Sequence, residues 1–368
     1  MVKPKVLVTG ATGKTGSVVM TELLDAGYPV RALVHRDDER SARLAARGVE
    51  IAVGDLSDVE RVADALRGVQ RAYYCPPFHP FMVQGALAFA VAARESRLEH
   101  IVGLTQWLSS PSHPALMTRQ LWLVDQLFSM IPGISHTIVR PGFFADAYLS
   151  TIASAANLGI FPWVYGDSRN APPSNEDIAR VAAAALMNPA LHAGKVYRPT
   201  GPQLLGAEDM ANSIGRAVGR PVRVVPAPTW LFMKALRLNG LPIEEISEVR
   251  YYIDDHRQGA FEVGAPTNDV LEVTSRPPED FETIARRYAA MQHNRRTRAN
   301  WLRELARFLV TPLGRGFDLD RYDQELRRPF PSRPRFAPES AIWRREHAAS
   351  RLEGRPPVAP ALYMLAGR

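Results

Sequence analysis

Between Lys5 and Gly27 the chain reads KVLVTGATGKTGSVVMTELLDAG, and the glycines of this stretch limit the possible folds more than any other feature. A β-branched apolar run, Val6-Leu7-Val8, is followed by Gly10, Gly13 and Gly16, then by Val18, Val19, Leu23 and Leu24 at helical spacing. Two nucleotide-binding motifs compete for these residues. Gly13-Lys14-Thr15 ends like a P-loop, which needs another glycine five residues before Gly13. That position is Val8, inside the apolar run. The other motif, a strand, a three-glycine turn and a helix, fits in full and predicts a dinucleotide cradle formed by Gly10, Ala11, Thr12, Gly13, Lys14, Thr15 and Gly16. Gly10 permits the tight turn, Gly13 lets the main chain approach a pyrophosphate, and Gly16 lets helix and strand pack closely. Free N–H groups and the dipole at the helix start favour the negative charge, with Lys14 as a flanking cation.

Strand-like and helix-like segments alternate from Lys5 to about Val139. Strands are expected at 30–35, 49–56, 71–75, 100–105 and 135–142, with helices at 38–48, 58–68, 81–98 and 113–130 between them. This rhythm predicts an α/β fold with a doubly wound parallel (Rossmann) sheet. Three regions are expected: a nucleotide-binding domain over 1–150, a smaller substrate-covering region over 151–290, and an Arg/Pro-rich extension over 291–368. The aromatic and proline-rich stretch 159–177 reads as a loop over the site.

Ligands of such sheets bind beyond the carboxyl ends of the strands, so the residues after each strand are the candidates. His35 and Arg36 follow the second strand, and a cation there suits a 2′-phosphate, favouring NADP over NAD. Asp55 and Leu56 follow the third, placed for an adenine amino group and ring. Pro76 stiffens the cleft wall after the fourth. Cys75 beside it reads as a small core residue rather than a reactive thiol. Thr105 follows the fifth strand, and Pro141 and Phe143 the sixth, where Phe143, Phe144 and Tyr148 are expected to floor a flat ring.

The segments VLVTGATGKTG, VRALVHR, GDLSD, HIVGLT, HTIVRPGFFAD and GKVYRPTGP resemble, in order, the pattern of NmrA-like proteins, atypical members of the short-chain dehydrogenase/reductase superfamily. The resemblance covers roughly residues 3–290. It implies NAD(P)(H) binding, and either a reductase, quinone reductases included, or a non-catalytic redox sensor that controls a partner. Two residues depart from the pattern. His35 stands where the family's 2′-phosphate arginine usually falls, with Arg36 one place later. Ala115 and Arg119 stand where the superfamily has its Tyr-x-x-x-Lys dyad. Arg119 is left to hold the ribose hydroxyls, and His113 and Thr105 are the remaining candidates near the reacting centre. An imidazole titrating near neutrality makes His113 a proton donor for a hydride acceptor such as a quinone.

Bulk properties narrow the function classes. A single cysteine excludes an intramolecular disulfide and suggests a reducing, cytoplasmic setting. No apolar run is long enough to cross a membrane, and no metal-ligating set is expected. Residues 291–368 hold sixteen arginines, no lysine and eight acids, which accounts for the whole formal net charge of +7. The basic character therefore belongs to the tail, and the body is not read as nucleic-acid-binding. Within the tail, Trp301, Leu302, Leu305, Phe308 and Leu309 share one helical face, which is expected to pack on the body, a partner, a second copy or a membrane surface. The Pro- and Arg-rich remainder is read as an extended arm with Trp343 and Tyr363 as anchors.

Overall fold

Val6, Leu7 and Val8 are wholly buried on consecutive positions, as a strand covered on both faces requires. In the computed structural model, which describes residues 3–327 and 329–349, they form β1 (Val6–Thr9) in the interior of a seven-stranded sheet. The other strands are β2 (Val30–Val34), β3 (Glu50–Val53), β4 (Arg71–Tyr74), β5 (His100–Leu104), β6 (Ser135–Val139) and β8 (Val196–Tyr197); β7 (Ile160–Trp163) and β9 (Arg223–Pro226) pair separately. The order is β3-β2-β1-β4-β5-β6-β8 and every pairing is parallel. This is the expected doubly wound Rossmann arrangement, with its topological switch between β1 and β4.

Helices cover both faces. On one side lie α1 (Lys14–Asp25), α2 (Glu39–Ala45) and, from far along the chain, α8 (Asn175–Met187). Ile178, Ala179, Val181, Ala182 and Ala185 of α8 share a core with Val6, Val8, Val102 and Val139. On the other side α3 (Val59–Leu66), α4 (Met82–Glu95) and α5 (Leu116–Ser129) bury Leu66, Phe89, Val124 and Phe128 against Leu7 and Ile101. Since α8 and β8 return to this layer, the expected boundary near residue 150 does not separate the sheet from the later elements of the chain. Parallel strands need a covering helix on each face, and the chain supplies the last one late.

A second core beside the strand ends is built by α6 (Ala145–Leu149), α7 (Ile152–Leu158), α10 (Ala207–Val218), α11 (Thr229–Leu238), α12 (Ile243–Arg257) and α14 (Phe281–Ala289), while α9 (Pro189–His192) and α13 (Asp269–Thr274) pack with α8, α13 adding Val270 to the sheet core. The stretch expected to be a loop over the site is instead largely internal. Phe161, Trp163, Val164 and Tyr165 are buried in this second core with Tyr148, Ile253 and Phe281. Its alternating large apolar residues pair as β7 with β9, and the aromatic content fills a core rather than lining a lid.

The tail is structured too: α15 (Arg298–Val310), α16 (Leu319–Glu325) and α17 (Ala341–Ala349). Trp343 is fully buried, so this anchor docks on the body, while Tyr363 lies outside the described residues.

Candidate functional site

The glycine turn has the geometry that a close main-chain approach demands. Gly10 sits at φ +62°, and Gly13 N–H donates to Gly10 O at 2.9 Å. A Cβ on Gly16 would lie 2.3 Å from the Gly10 carbonyl oxygen, so no side chain fits there. Thr12, Gly13 and Lys14 are exposed, and Gly13 caps α1 with no side-chain bond to its N-terminal N–H groups. Ala11 is buried, and the Thr15 hydroxyl donates to Asn175 Oδ1 at 2.9 Å. The Lys14 ammonium pairs with Asp146 at 2.5 Å, tying the turn to α6.

The other candidates lie along the same carboxyl edge because their strands are neighbours in the sheet. After β2, Asp38 caps α2 and Asp37 accepts from Ser41 Oγ, so both acids are spent on the helix start. Arg36 is exposed and makes no ion pair or hydrogen bond among the described residues. His35 lies 3.4 Å from Asp55. Asp55 accepts from the N–H and hydroxyl of Ser57, which holds its carboxyl below the ordinary range. The cap of α3 is Asp58. Leu56 and Pro76 are half-buried. The Cys75 thiol is pushed up to about 11 by burial, and the residue packs against the sheet core, where a Cβ on Gly10 would lie 3.4 Å from its Sγ.

Beyond β5 and β6 several expectations change. Thr105 is buried, its N–H donating to Val139 O at 2.9 Å, and Trp107 N–H reaches Pro141 O at 3.2 Å. Phe143, Phe144 and Tyr148 do not share one floor. Phe144 packs on the sheet core. Phe143 stands edge-on to Tyr148, Tyr165 and His256, and Tyr148 is buried with its hydroxyl 2.5 Å from His256 Nε2 and 3.1 Å from Asn170 Nδ2. Ser168 bonds the other nitrogen of His256. Burial lowers His256 to about 3, so this network beneath Phe143 is neutral. Phe143 is half-buried between the second core and the Trp107–Phe261–Trp343 cluster.

His113 is not a free proton donor. It is fully buried, Nδ1 accepts from Ala115 N–H at 3.0 Å, and Nε2 lies 2.6 Å from Asp255 Oδ2. Both nitrogens are occupied, and the Phe336 ring stands edge-on to the imidazole. Arg119 does not turn toward a ribose either. Its guanidinium donates to the carbonyls of His113, Pro114 and Pro329. Because α5 begins only at Leu116, Arg119 falls in its first turn, where loop carbonyls outcompete the cleft.

The tail supplies residues that sequence reasoning did not place here. Arg335 N–H donates to Ser112 O and Ala337 N–H to Asp255 Oδ1, both at 2.9 Å. The Trp343 indole donates to Trp107 O at 2.8 Å, and His347 stacks on Trp343 with ring centres 3.9 Å apart. Glu346 meets Arg140 at 2.5 Å, and Arg140 bridges to the buried Asp125 at 2.8 Å. Burial disfavours the Arg140 charge, but Asp125 and Glu346 outweigh it and hold the guanidinium protonated. Residues 335–347 therefore form a roof over the carboxyl ends of β5 and β6. The cue in the sequence was Trp343 alone; its hydrogen-bond acceptor, the Trp107 carbonyl, lies 236 residues away.

Comparison with known proteins agrees with this architecture. The profile of the NmrA-like family matches residues 2–105. An NAD(P)H azoreductase from Xenophilus azovorans is 32% identical over 291 residues, covering 77% of this chain and 98% of that protein. A (4-alkanoyl-5-oxo-2,5-dihydrofuran-3-yl)methyl phosphate reductase from Streptomyces griseus is 31% identical, with the same coverage of 77% and 98%. The crystal structure of an NADPH-dependent quinone oxidoreductase from Escherichia coli, complexed with NADPH, superposes with a TM-score of 0.67 at 21% identity, covering 76% of this chain and 98% of that one.

Proposed function

The chain belongs to the NmrA-like family, and from that premise we propose that it is an NAD(P)H-dependent reductase of small planar acceptors such as quinones, with NADPH preferred. The observation that carries the proposal is the glycine turn. Gly16 is packed against the Gly10 carbonyl with no space for a Cβ, and the N–H groups at the start of α1 have no side-chain cap. Such a turn suits a pyrophosphate held by main chain alone.

When bound, the reduced nicotinamide supplies a hydride. Preference for NADPH is supported by Arg36, the cation left unpaired after β2 once Asp37 and Asp38 are taken up by α2. Thr105, Pro141 and Phe143 then border the acceptor end. Ala115 offers only a methyl group, and both His113 nitrogens are engaged. The site therefore favours acceptors whose reduced anion takes its proton from water: quinones, azo bonds and activated alkenes rather than simple ketones. The names of the two curated relatives, an azoreductase and a dihydrofuranone phosphate reductase, are consistent with that range.

Purified protein should oxidise NADPH in the presence of at least one member of a panel of quinones, azo dyes and enals. Protein that binds NADPH yet oxidises it with none of them overturns the reductase reading. One observation favours the alternative, an NADP-binding sensor or assembly protein: the roof of residues 335–347 covers the β5–β6 end, where an acceptor would enter. Cofactor binding without turnover would assign the protein to that class.

A further inference from the structure

Helix α15 is turned inside out. Its buried positions are Asn300 and Glu304. Glu304 accepts from Ser154 Oγ at 2.9 Å, and Asn300 donates to the carbonyls of Gln292 and Arg295. The apolar residues expected to pack on the body face outward instead: Trp301 is 44% exposed, Leu302 60%, Phe308 54% and Leu309 59%, and Leu313 just beyond the helix is 85% exposed. A single exposed leucine needs no explanation, but here four of the five residues of an apolar helical stripe face solvent, with Leu305 alone half-buried. The strip continues onto α11, which packs beside the turn Thr311–Leu313 and carries the exposed Leu238.

Within the segment that carries the strip, up to the acids Asp318 and Asp320 of the next helix, charge is almost all positive. Residues 291–317 contain six arginines and one acid, the buried Glu304. Arg296, Arg298 and Arg315 are exposed and make no side-chain bond or ion pair among the described residues. At the start of α15, Arg220, Arg296 and Arg298 line an open cleft of about 510 Å³ with Trp301, Thr297, Asn157 and Leu158, and no acid borders it.

We propose that this face docks on an anionic phospholipid membrane, with α15 lying in the interface plane and the three arginines of the cleft taking a lipid phosphate. Leucine and phenylalanine on one face, a tryptophan at headgroup depth and arginines around them are what an interfacial helix requires. No helix of the described residues is long and apolar enough to cross a bilayer, so the contact is peripheral. A second copy of the chain would bring arginines against arginines with only a buried acid to offset them. The inference does not depend on the reductase reading, since none of these residues borders the glycine turn.

The full chain should be sedimented with vesicles of phosphatidylcholine alone and with vesicles that also contain phosphatidylglycerol. Pelleting is expected only with the anionic vesicles, and high salt should release the protein. Arg296→Glu and Arg298→Glu should each lower the partition coefficient about five-fold or more, and the Leu302→Glu, Leu309→Glu double variant should abolish pelleting. Unchanged melting temperatures in these surface variants would exclude unfolding as the cause. No pelleting with any vesicle, equal pelleting with both, or insensitivity to the arginine variants overturns the proposal. Binding of inorganic phosphate alone, or a dimer in sedimentation velocity that the leucine variants dissolve, would also overturn it and give the face to a free anion or a second copy.

Discussion

Gly16 tolerates no side chain because the Gly10 carbonyl oxygen occupies the space a Cβ would take. Gly16→Ala should therefore push the start of α1 off the sheet, costing on the order of 1–3 kcal/mol, and should abolish NADPH binding; a variant with wild-type melting temperature and affinity would refute this. Arg36 acts at a different level, through selectivity. Arg36→Glu should weaken NADPH at least ten-fold while leaving NADH nearly unchanged, read from the two KM values. The conformation of the glycine turn and the placement of residues at the strand ends were legible in the sequence because both are set within a few residues of chain. His113 and Arg119 were not. Their geometry is decided by Asp255 and by the Pro329 carbonyl, 142 and 210 residues away, and no local spacing carries that information.

At the scale of elements, the sheet and its helices followed the alternation of strand and helix periods, with ends shifted by up to three residues. The misread elements are those whose apolar pattern has more than one use. The aromatics of 159–177 are equally suited to a lid and to a buried strand, and pairing of β7 with β9 decides for the core. Similarly, α15 has an ordinary amphipathic pattern, yet its polar side is the one that meets α7, through Glu304 and Ser154. The docked α17 depends on a fully buried tryptophan wedged beside Trp107 and Phe261. Trp343→Ala should cost about 3–5 kcal/mol if the roof folds with the body. If the roof is a separately opening unit, the same variant should leave the main thermal transition in place and make residues 329–349 sensitive to proteolysis. Limited proteolysis followed alongside melting distinguishes the two, and neither change would show that the roof contributes nothing.

For the whole molecule, acid stability follows from its buried histidines. Burial lowers His256 to about 3 and His100 to about 4, and drives His347 well below its ordinary value. Below pH 6.5 the unfolded chain takes up protons that these folded imidazoles refuse, so stability present near neutrality is lost as the pH falls. Each histidine contributes on the order of 1.4 kcal/mol per pH unit between 6.5 and its lowered value. The melting temperature should fall steadily from pH 7 toward pH 4, and His256→Gln should flatten that slope; a pH-independent melting temperature would contradict it. The fold, its partition of two cores beside one sheet edge and its open glycine turn converge on a single claim, that main chain at Gly10–Gly16 holds the pyrophosphate of a nicotinamide dinucleotide. Its most direct test is titration of the purified chain with NADPH, NADP⁺, NADH and NAD⁺, followed by intrinsic tryptophan fluorescence and melting temperature. The expected result is saturable binding and a raised melting temperature, strongest with the phosphorylated pair. No response to any of the four would contradict the claim.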